Sequence, residues 1–141
     1  MGQVNITWVQ DQQYVATDST NHSVVVSSTA NGTGMKPSDL LMVALGSCTA
    51  YDVVNILTKR RAWITGLNVT VSGEQESEPP WTFRKIHVHY QVSGVDLTER
   101  EVEHAIVLSE EKYCSVSATL KQAAEITFTY EIIDTRQPVE S

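Results

Sequence analysis

Basic residues and cysteines are both scarce in this sequence, and each shortage excludes a class of function. Ten Lys and Arg residues face seventeen Asp and Glu residues over 141 positions, which gives a formal net charge of −7. Such an acidic chain offers no general field for phosphate groups, which argues against nucleic acid and against a polybasic membrane anchor. The two cysteines, Cys48 and Cys114, are too far apart for a zinc knuckle, whose ligands come in closely spaced pairs.

Long apolar runs are also missing. The longest uncharged, mostly apolar run extends from Leu40 to Tyr51. That run is shorter than the ~20 residues of a bilayer-spanning helix and is typical of a buried core helix. The chain does not open with a basic segment followed by an apolar stretch, so we expect no secretory signal. Together these observations predict a cytoplasmic protein with no membrane partner.

The composition is that of an ordinary globular protein, with 41% apolar and 19% charged residues. The length suits one domain, so we expect a single domain over residues 1–141. The tail after Asp134, about residues 135–141, is polar and is expected to fray.

The first thirty residues predict a three-stranded meander. Val4, Ile6 and Trp8 alternate with polar residues at the spacing of a strand, and two further strands are expected over residues 13–17 and 22–27. Asn31 to Gly34 reads as a flexible loop.

A long central helix is predicted next. Pro37 suits a first helical turn, and Asp39 lies where a negative charge complements the helix dipole. From Leu40 to Leu57 apolar residues occur on nearly every face, which is typical of a helix enclosed by the rest of the fold or by a second subunit. The Gly46-Ser47 pair indicates a bend or a close approach.

The remainder alternates between strand and helix patterns. A hairpin is expected from Leu67–Val71 and from a strand between Trp81 and Val92, whose inward phase shifts near Arg84-Lys85 as a β-bulge would shift it. Thr98 to Glu101 matches a capping box, and the helix that it starts should end near Tyr113. A short helix to about Gln122 and a strand over 126–132 complete a single α+β domain.

From residue counts alone, the two cysteines are most simply two buried and unrelated thiols. The sequence around them changes that interpretation. The segment from Pro37 to Val54, PSDLLMVALGSCTAYDVV, resembles the central-helix motif of the OsmC/Ohr family, the osmotically inducible and organic hydroperoxide resistance thiol peroxidases. The segment from Lys112 to Leu120, KYCSVSATL, resembles the second cysteine motif of that family, and the Cys-Thr-Ala form of the first motif is closer to its OsmC-like branch.

The resemblance implies an OsmC-like fold in an intertwined homodimer, with the long helices of two subunits packed in the middle. It also implies a mechanism, in which Cys48 attacks an organic hydroperoxide and becomes a sulfenic acid. Cys114 would then condense with it to a disulfide, which an external thiol, a lipoyl group or a small dithiol, would reduce. No metal or organic cofactor is implied.

The sequence departs from the family at the group that stabilises the thiolate. A thiol with a pKa near 8.5 is mostly protonated at neutral pH, so a catalytic cysteine needs a positive neighbour. In classical members an arginine from the N-terminal strands supplies that charge, but no Arg or Lys precedes Lys36 here. Asp39, the third candidate catalytic residue, would orient a substitute cation, for which the candidates are Lys36, Arg60, Arg61 and Arg84.

The empty arginine position keeps two other functions open. One is a non-catalytic relative that binds a small apolar or thiol-reactive ligand, and the other is a redox sensor. Asp52, four residues after Cys48 on the same helix face, is interpreted as structural or as an interface residue, because its charge would disfavour a nearby thiolate. His87 and His89 share a solvated strand face and lack further metal ligands.

Overall fold

The computed structural model of the protein describes residues 2–28 and 32–136. Its elements are three strands, a long helix, two strands, three short helical segments and a final strand, so the predicted α+β class is confirmed. The chain divides into two compact units, one ending at Leu41 and one beginning at Met42. The single domain over 1–141 stays a prediction, and most of the predicted frayed tail, 137–141, lies outside the described residues.

The N-terminal unit contains the predicted meander, an antiparallel sheet in the order β1-β2-β3. Its strands are β1 (Val4–Gln10), β2 (Gln13–Asp18) and β3 (Ser23–Ser27). The chain reverses at Asp11 and Asn21, which have φ angles of 48° and 69°. Asp and Asn are among the few residues other than glycine that adopt this left-handed conformation readily.

The loop after β3 is tied back to that strand. The Ser27 hydroxyl accepts a hydrogen bond from the Gly34 N–H at 2.9 Å and donates one to the Gly34 carbonyl at 3.0 Å. A side chain at Gly34 would collide with the Val25 carbonyl, so only glycine fits here without a backbone shift. Asn31, the first residue of the predicted flexible loop, lies outside the described residues.

The C-terminal unit is built on a second sheet, β4 (Trp63–Gln75), β5 (Phe83–Val95) and β6 (Glu125–Asp134). Strand β5 is central, antiparallel to β4 and parallel to β6.

The predicted β-bulge is confirmed. Glu74 pairs with Lys85 and Gln75 with Phe83, so Arg84 is the extra residue on β5. Trp81, which the alternation places in this strand, instead precedes it in a turn with a φ of 54°.

The central helix α1 runs from Pro37 to Lys59, as predicted. Its buried residues lie on one face at Leu45, Gly46, Thr49, Val53 and Leu57. A Cβ atom on Gly46 would come within 2.8 Å of Val71 Cγ2 on β4, so this glycine marks a close approach of helix and sheet.

Burial of α1 on all sides does not hold within one chain. The other faces leave several apolar side chains 36–73% exposed, namely Leu41, Val43, Tyr51 and Val54. The helix is also long and apolar enough to cross a membrane, because an 18-residue stretch of it has a mean hydropathy of 1.7. The shorter run Leu40–Tyr51 had excluded that possibility. Length and composition alone are weak grounds for such a span, because core helices share them.

Helix α2 (Glu99–Leu108) begins with the predicted capping box, in which the Thr98 hydroxyl accepts the Glu101 N–H at 3.2 Å. It continues into a π-helical turn, Ser109–Tyr113, and then α3 (Ser115–Leu120). The buried core joins one face of α1, the inward residues of β5 and one face of α2. Each large apolar side chain buried there stabilises the fold by ~1.5–3 kcal/mol.

Candidate active site

The first thiol lies in the middle of α1. Cys48 is half-buried, and Asp52 follows one helical turn later on the same side of the helix. Both side chains belong to the C-terminal unit, and the close packing of the neighbouring Gly46 against β4 fixes this stretch of the helix.

The second thiol lies where the π-helical turn meets α3. Cys114 is 2% exposed, and its backbone N–H closes the turn by donating to the Ser109 carbonyl at 2.7 Å. Its Sγ accepts the Ser117 N–H at 3.2 Å and therefore caps the N-terminus of α3. Serine, threonine and asparagine commonly occupy this capping position, and here the thiol takes that structural role.

The fold brings these two thiols and the Asp52 carboxylate together. The two sulfur atoms and a carboxylate oxygen all lie within 4.8 Å of one another. The hydroxyl of Ser109, which is fully buried in the π-helical turn, donates to Asp52 Oδ2 at 2.8 Å. This hydrogen bond links α1 to the segment that carries Cys114. Both cysteines are reduced in the structure, and a modest movement would bring the sulfurs to the ~2.05 Å of a disulfide.

Burial and the nearby Cys48 sulfur raise the pKa of the Cys114 thiol to about 11. Hydrogen bonds from the Ser117 and Val116 backbone oppose this effect only in part. Cys114 is therefore protonated at neutral pH.

Two further groups, Tyr90 and Glu110, lie on the Cys114 side of the cluster. Tyr90 is fully buried on β5, and its hydroxyl lies 3.5 Å from Glu110 Oε1. Burial raises the pKa of Tyr90 well above its usual range, and the charges of Glu110 and Cys114 add to this. The pKa of Glu110 is also raised, mainly by burial. Both shifts indicate a poorly solvated environment, in which electrostatic interactions are strong.

An open cavity of about 510 Å³ adjoins Asp52 and has two cations on its wall. It is lined by Asp52, Asn55, Ile56, Lys59, Arg60, Leu108 and Tyr113. Arg60, one of the predicted substitute cations, therefore shares a cavity with a member of the thiol cluster. Arg84 does not, because it pairs with Glu76 at 2.6 Å on the surface of the sheet.

The structure brings together only some of the site residues that the sequence predicted. Cys48 and Cys114 meet, whereas Asp39 lies in the first turn of α1 in the N-terminal unit and is not a member of the cluster. Asp52, interpreted from sequence as structural, is a member. Its position four residues after Cys48 was the available signal, but its Ser109 partner is 57 residues away and had no signal in the sequence.

The paired histidines have an ordinary structural role on the solvated strand face. His87 hydrogen-bonds Thr127 and Thr129, and His89 hydrogen-bonds Thr129 and Glu131, all across the β5–β6 pair. Such cross-strand pairs stabilise a sheet.

Comparison with known proteins identifies the family of the chain. A family profile described as OsmC-like protein matches residues 30–129. The protein YhfA of Escherichia coli K12 is 33% identical over 131 residues, covering 93% of this chain and 98% of YhfA.

Solved structures share the fold over most of the chain. A hypothetical protein from Aquifex aeolicus VF5 superposes with a TM-score of 0.85 at 25% identity, covering 95% of this chain and 97% of that one. An OsmC-like protein from Mycoplasma pneumoniae gives a TM-score of 0.81 at 16% identity, covering 94% and 97%, and so supports the fold alone. With the profile, the YhfA match and the fold in agreement, the chain belongs to the OsmC-like protein family.

Proposed function

We propose that this protein is a thiol-dependent peroxidase that reduces organic hydroperoxides through Cys48 and Cys114. The observation that carries the proposal is the approach of the two sulfur atoms to within 4.8 Å, although 66 positions separate them in sequence. Two reduced thiols this close, one half-exposed and one buried, suit a two-step disulfide mechanism.

In the first step the Cys48 thiolate attacks the terminal peroxide oxygen. The O–O bond breaks, the alkoxide leaves and takes a proton to become an alcohol, and Cys48 becomes a sulfenic acid. Cys48 suits this role because it is the more accessible of the two thiols.

In the second step Cys114 attacks the Cys48 sulfenic sulfur, a disulfide forms and hydroxide leaves as water. The buried thiol must lose its proton for this step, since its pKa is about 11. The Asp52 carboxylate lies within 4.8 Å of Cys114 Sγ, is held by Ser109, and suits the role of proton acceptor. The sum of both steps converts ROOH and two thiols into ROH, water and one disulfide.

A cation must still favour the Cys48 thiolate. Arg60 and Lys59 line the cavity beside Asp52, and they replace the arginine of classical members in this proposal. Asp39 lies at the opposite end of α1 from Lys59, so its proposed role as the acid that orients a cation requires a cation from the second subunit of the proposed homodimer.

The active form is proposed to be a cytoplasmic homodimer. The apolar faces that α1 leaves exposed in one chain support it, because a second α1 would cover them. The open cavity beside Asp52 would admit a hydroperoxide and then the external reductant, a lipoyl group or a small dithiol.

The test is the intact mass of the reduced protein after brief exposure to one equivalent of cumene hydroperoxide. We expect a loss of two hydrogens that peptide mapping assigns to a Cys48–Cys114 disulfide, and slower oxidation by hydrogen peroxide. Thiols that remain unreacted after minutes would contradict the proposal.

A second function has one observation in its favour. Burial and the Cys48 side chain are the largest causes of the raised pKa of Cys114, which suits a non-catalytic protein that binds a small apolar or thiol-reactive ligand. Tight binding of an apolar ligand in the Asp52 cavity, together with thiols inert to peroxide, would favour this alternative. Fast stoichiometric oxidation without turnover would instead indicate the redox sensor.

A further inference from the structure

The thiol cluster also has the donor set of a metal site. Within the described part of the chain, Cys48, Asp52 and Cys114 each offer one ligand atom, and these three atoms all lie within 4.8 Å of one another. Zinc bound tetrahedrally by thiolates at 2.3 Å has ligand atoms ~3.8 Å apart. The cluster needs only side-chain adjustments of an ångström or less to reach that spacing.

The surroundings fix two of the three donors. The buried Ser109 hydroxyl holds Asp52 Oδ2 at 2.8 Å, and the Ser117 N–H holds Cys114 Sγ at 3.2 Å. Metal ligands in proteins are oriented by such outer hydrogen bonds, whose loss typically lowers affinity 10–100-fold. Here both hydrogen bonds are formed in the metal-free chain.

The negative charge of the three ligands also favours a bound cation. Two thiolates and a carboxylate would together carry three negative charges around the buried Cys114 side chain. A divalent cation bound among the three ligands would offset most of that charge. The half-buried position of Cys48 leaves a route for the ion to enter.

We propose that Cys48, Cys114 and Asp52 form a site for a thiophilic divalent cation of the Zn²⁺ type, with the fourth coordination position open to water. Binding displaces the two thiol protons to solvent and leaves the oxidation states unchanged. A bound ion occupies the lone pairs that attack peroxide, so occupancy and thiol oxidation exclude one another. The binding site stands independently, whereas its inhibitory effect rests on the proposed function.

The test is a titration of the reduced protein with Zn²⁺ against a chromophoric chelator, and with Co²⁺ by absorption. We expect one ion per chain and a sulfur-to-cobalt charge-transfer band. Cys48→Ser and Cys114→Ser should weaken Zn²⁺ binding at least a hundredfold, and Asp52→Asn about tenfold. Ser is suitable at position 114 because it still caps α3.

Two controls separate this site from surface binding. Asp96→Asn makes the same chemical change in an exposed turn whose φ of 57° asparagine tolerates, so it should leave affinity unchanged. His87→Gln with His89→Gln removes the exposed histidine pair and should also leave affinity unchanged. Binding that survives both serine variants, or that disappears with the histidines, would overturn the proposal, as would the absence of binding at micromolar Zn²⁺.

A final arm separates this inference from the proposed function. Saturating Zn²⁺ should prevent formation of the Cys48–Cys114 disulfide by cumene hydroperoxide, and a chelator should restore it. If peroxide oxidises the zinc-loaded protein as fast as the free protein, mutual exclusion is wrong. If the thiols ignore peroxide in both forms but still bind Zn²⁺ with the expected variant pattern, the proposed peroxidase fails and the metal site stands.

Discussion

Cys48 lies in the middle of a 23-residue helix, whereas Cys114 lies at the junction between a π-helical turn and a six-residue helix. The first sulfur is half-exposed on a long, regular element. The second is 2% exposed, caps a helix and has a pKa raised to about 11. The two thiols therefore lie in different environments. The accessible Cys48 suits attack on a substrate, whereas the buried Cys114 suits the later step in which the disulfide forms.

The strongest test of this asymmetry is Cys48→Ser. We expect peroxide consumption to fall to the uncatalysed background, because Cys114 alone is buried and protonated. The measurement is the rate of cumene hydroperoxide loss in the presence of a dithiol. Consumption that persists at the wild-type rate would show that Cys48 is not the attacking residue.

Cys114→Ser should give a different defect. The first step should survive, so intact mass should show one added oxygen and then further oxidation to sulfinic acid, with turnover lost. Serine keeps the acceptor that caps α3, whereas Cys114→Ala should also cost about 0.5–2 kcal/mol of stability. Identical chemistry in Cys48→Ser and Cys114→Ser would remove the distinction between the two thiols.

The pH dependence of Cys114 sharpens the comparison further. In Cys48→Ser its pKa should fall somewhat from about 11 but stay above the ordinary value, because burial is the largest cause. Iodoacetamide should therefore label Cys114 slowly at pH 7.5 and about tenfold faster for each unit up to its pKa. A labelling rate equal to that of the unfolded chain at pH 7.5 would contradict the raised pKa.

The raised pKa of Cys114 also determines how the free energy of unfolding depends on pH. The folded chain retains the Cys114 proton above the ordinary value of 9.0, so stability should fall as pH rises from about 9 to about 11. Urea unfolding of wild type and Cys114→Ser across this range measures the effect, which should be smaller in the serine variant.

Ser109→Ala tests the hydrogen bond that links the π-helical turn to α1. The variant removes the 2.8 Å hydrogen bond to Asp52 and leaves a half-buried carboxylate oxygen without that partner, so we expect a loss of about 1–3 kcal/mol. Ser115→Ala is the matched control, since Ser115 is exposed in the first turn of α3. Equal urea midpoints for the two variants would show that the link contributes nothing to stability.

The contrast also shows how far the sequence could lead. Alternation predicted the strands, and even the bulge at Arg84, because a change of phase on one strand is local information. The capping box at Thr98 was predictable for the same reason. The π-helical turn was not, because a helical pattern ending near Tyr113 does not distinguish a wide last turn from a regular one.

Contacts between residues far apart in the sequence could not be predicted from it, and the reason is physical. The cluster depends on α1 packing beside a segment more than fifty residues away, which no periodicity encodes, and the meeting of the two thiols was expected only from the family resemblance. Asp52 was set aside because its charge opposes a thiolate; the structure gives that charge a hydroxyl partner in Ser109. The all-round apolar pattern of α1 cannot say which faces one chain covers, and enclosure of the remaining faces by a second subunit stays a prediction.

The smallest expected effect concerns Glu110, on the Cys114 side of the comparison. Burial raises its pKa, so the folded chain disfavours its ionised form, and stability is lost as pH rises through the ordinary carboxyl range to the folded value. Glu110→Gln should therefore stabilise the protein at pH 7 by about 0.5 kcal/mol, with the difference vanishing toward pH 3. Glu103→Gln, the same change at an exposed site on α2, should show no such pH-dependent gain. Equal urea midpoints for both variants at pH 7 would mean that the Cys114 segment is better solvated than its burial indicates, and the contrast between the two thiols would weaken accordingly.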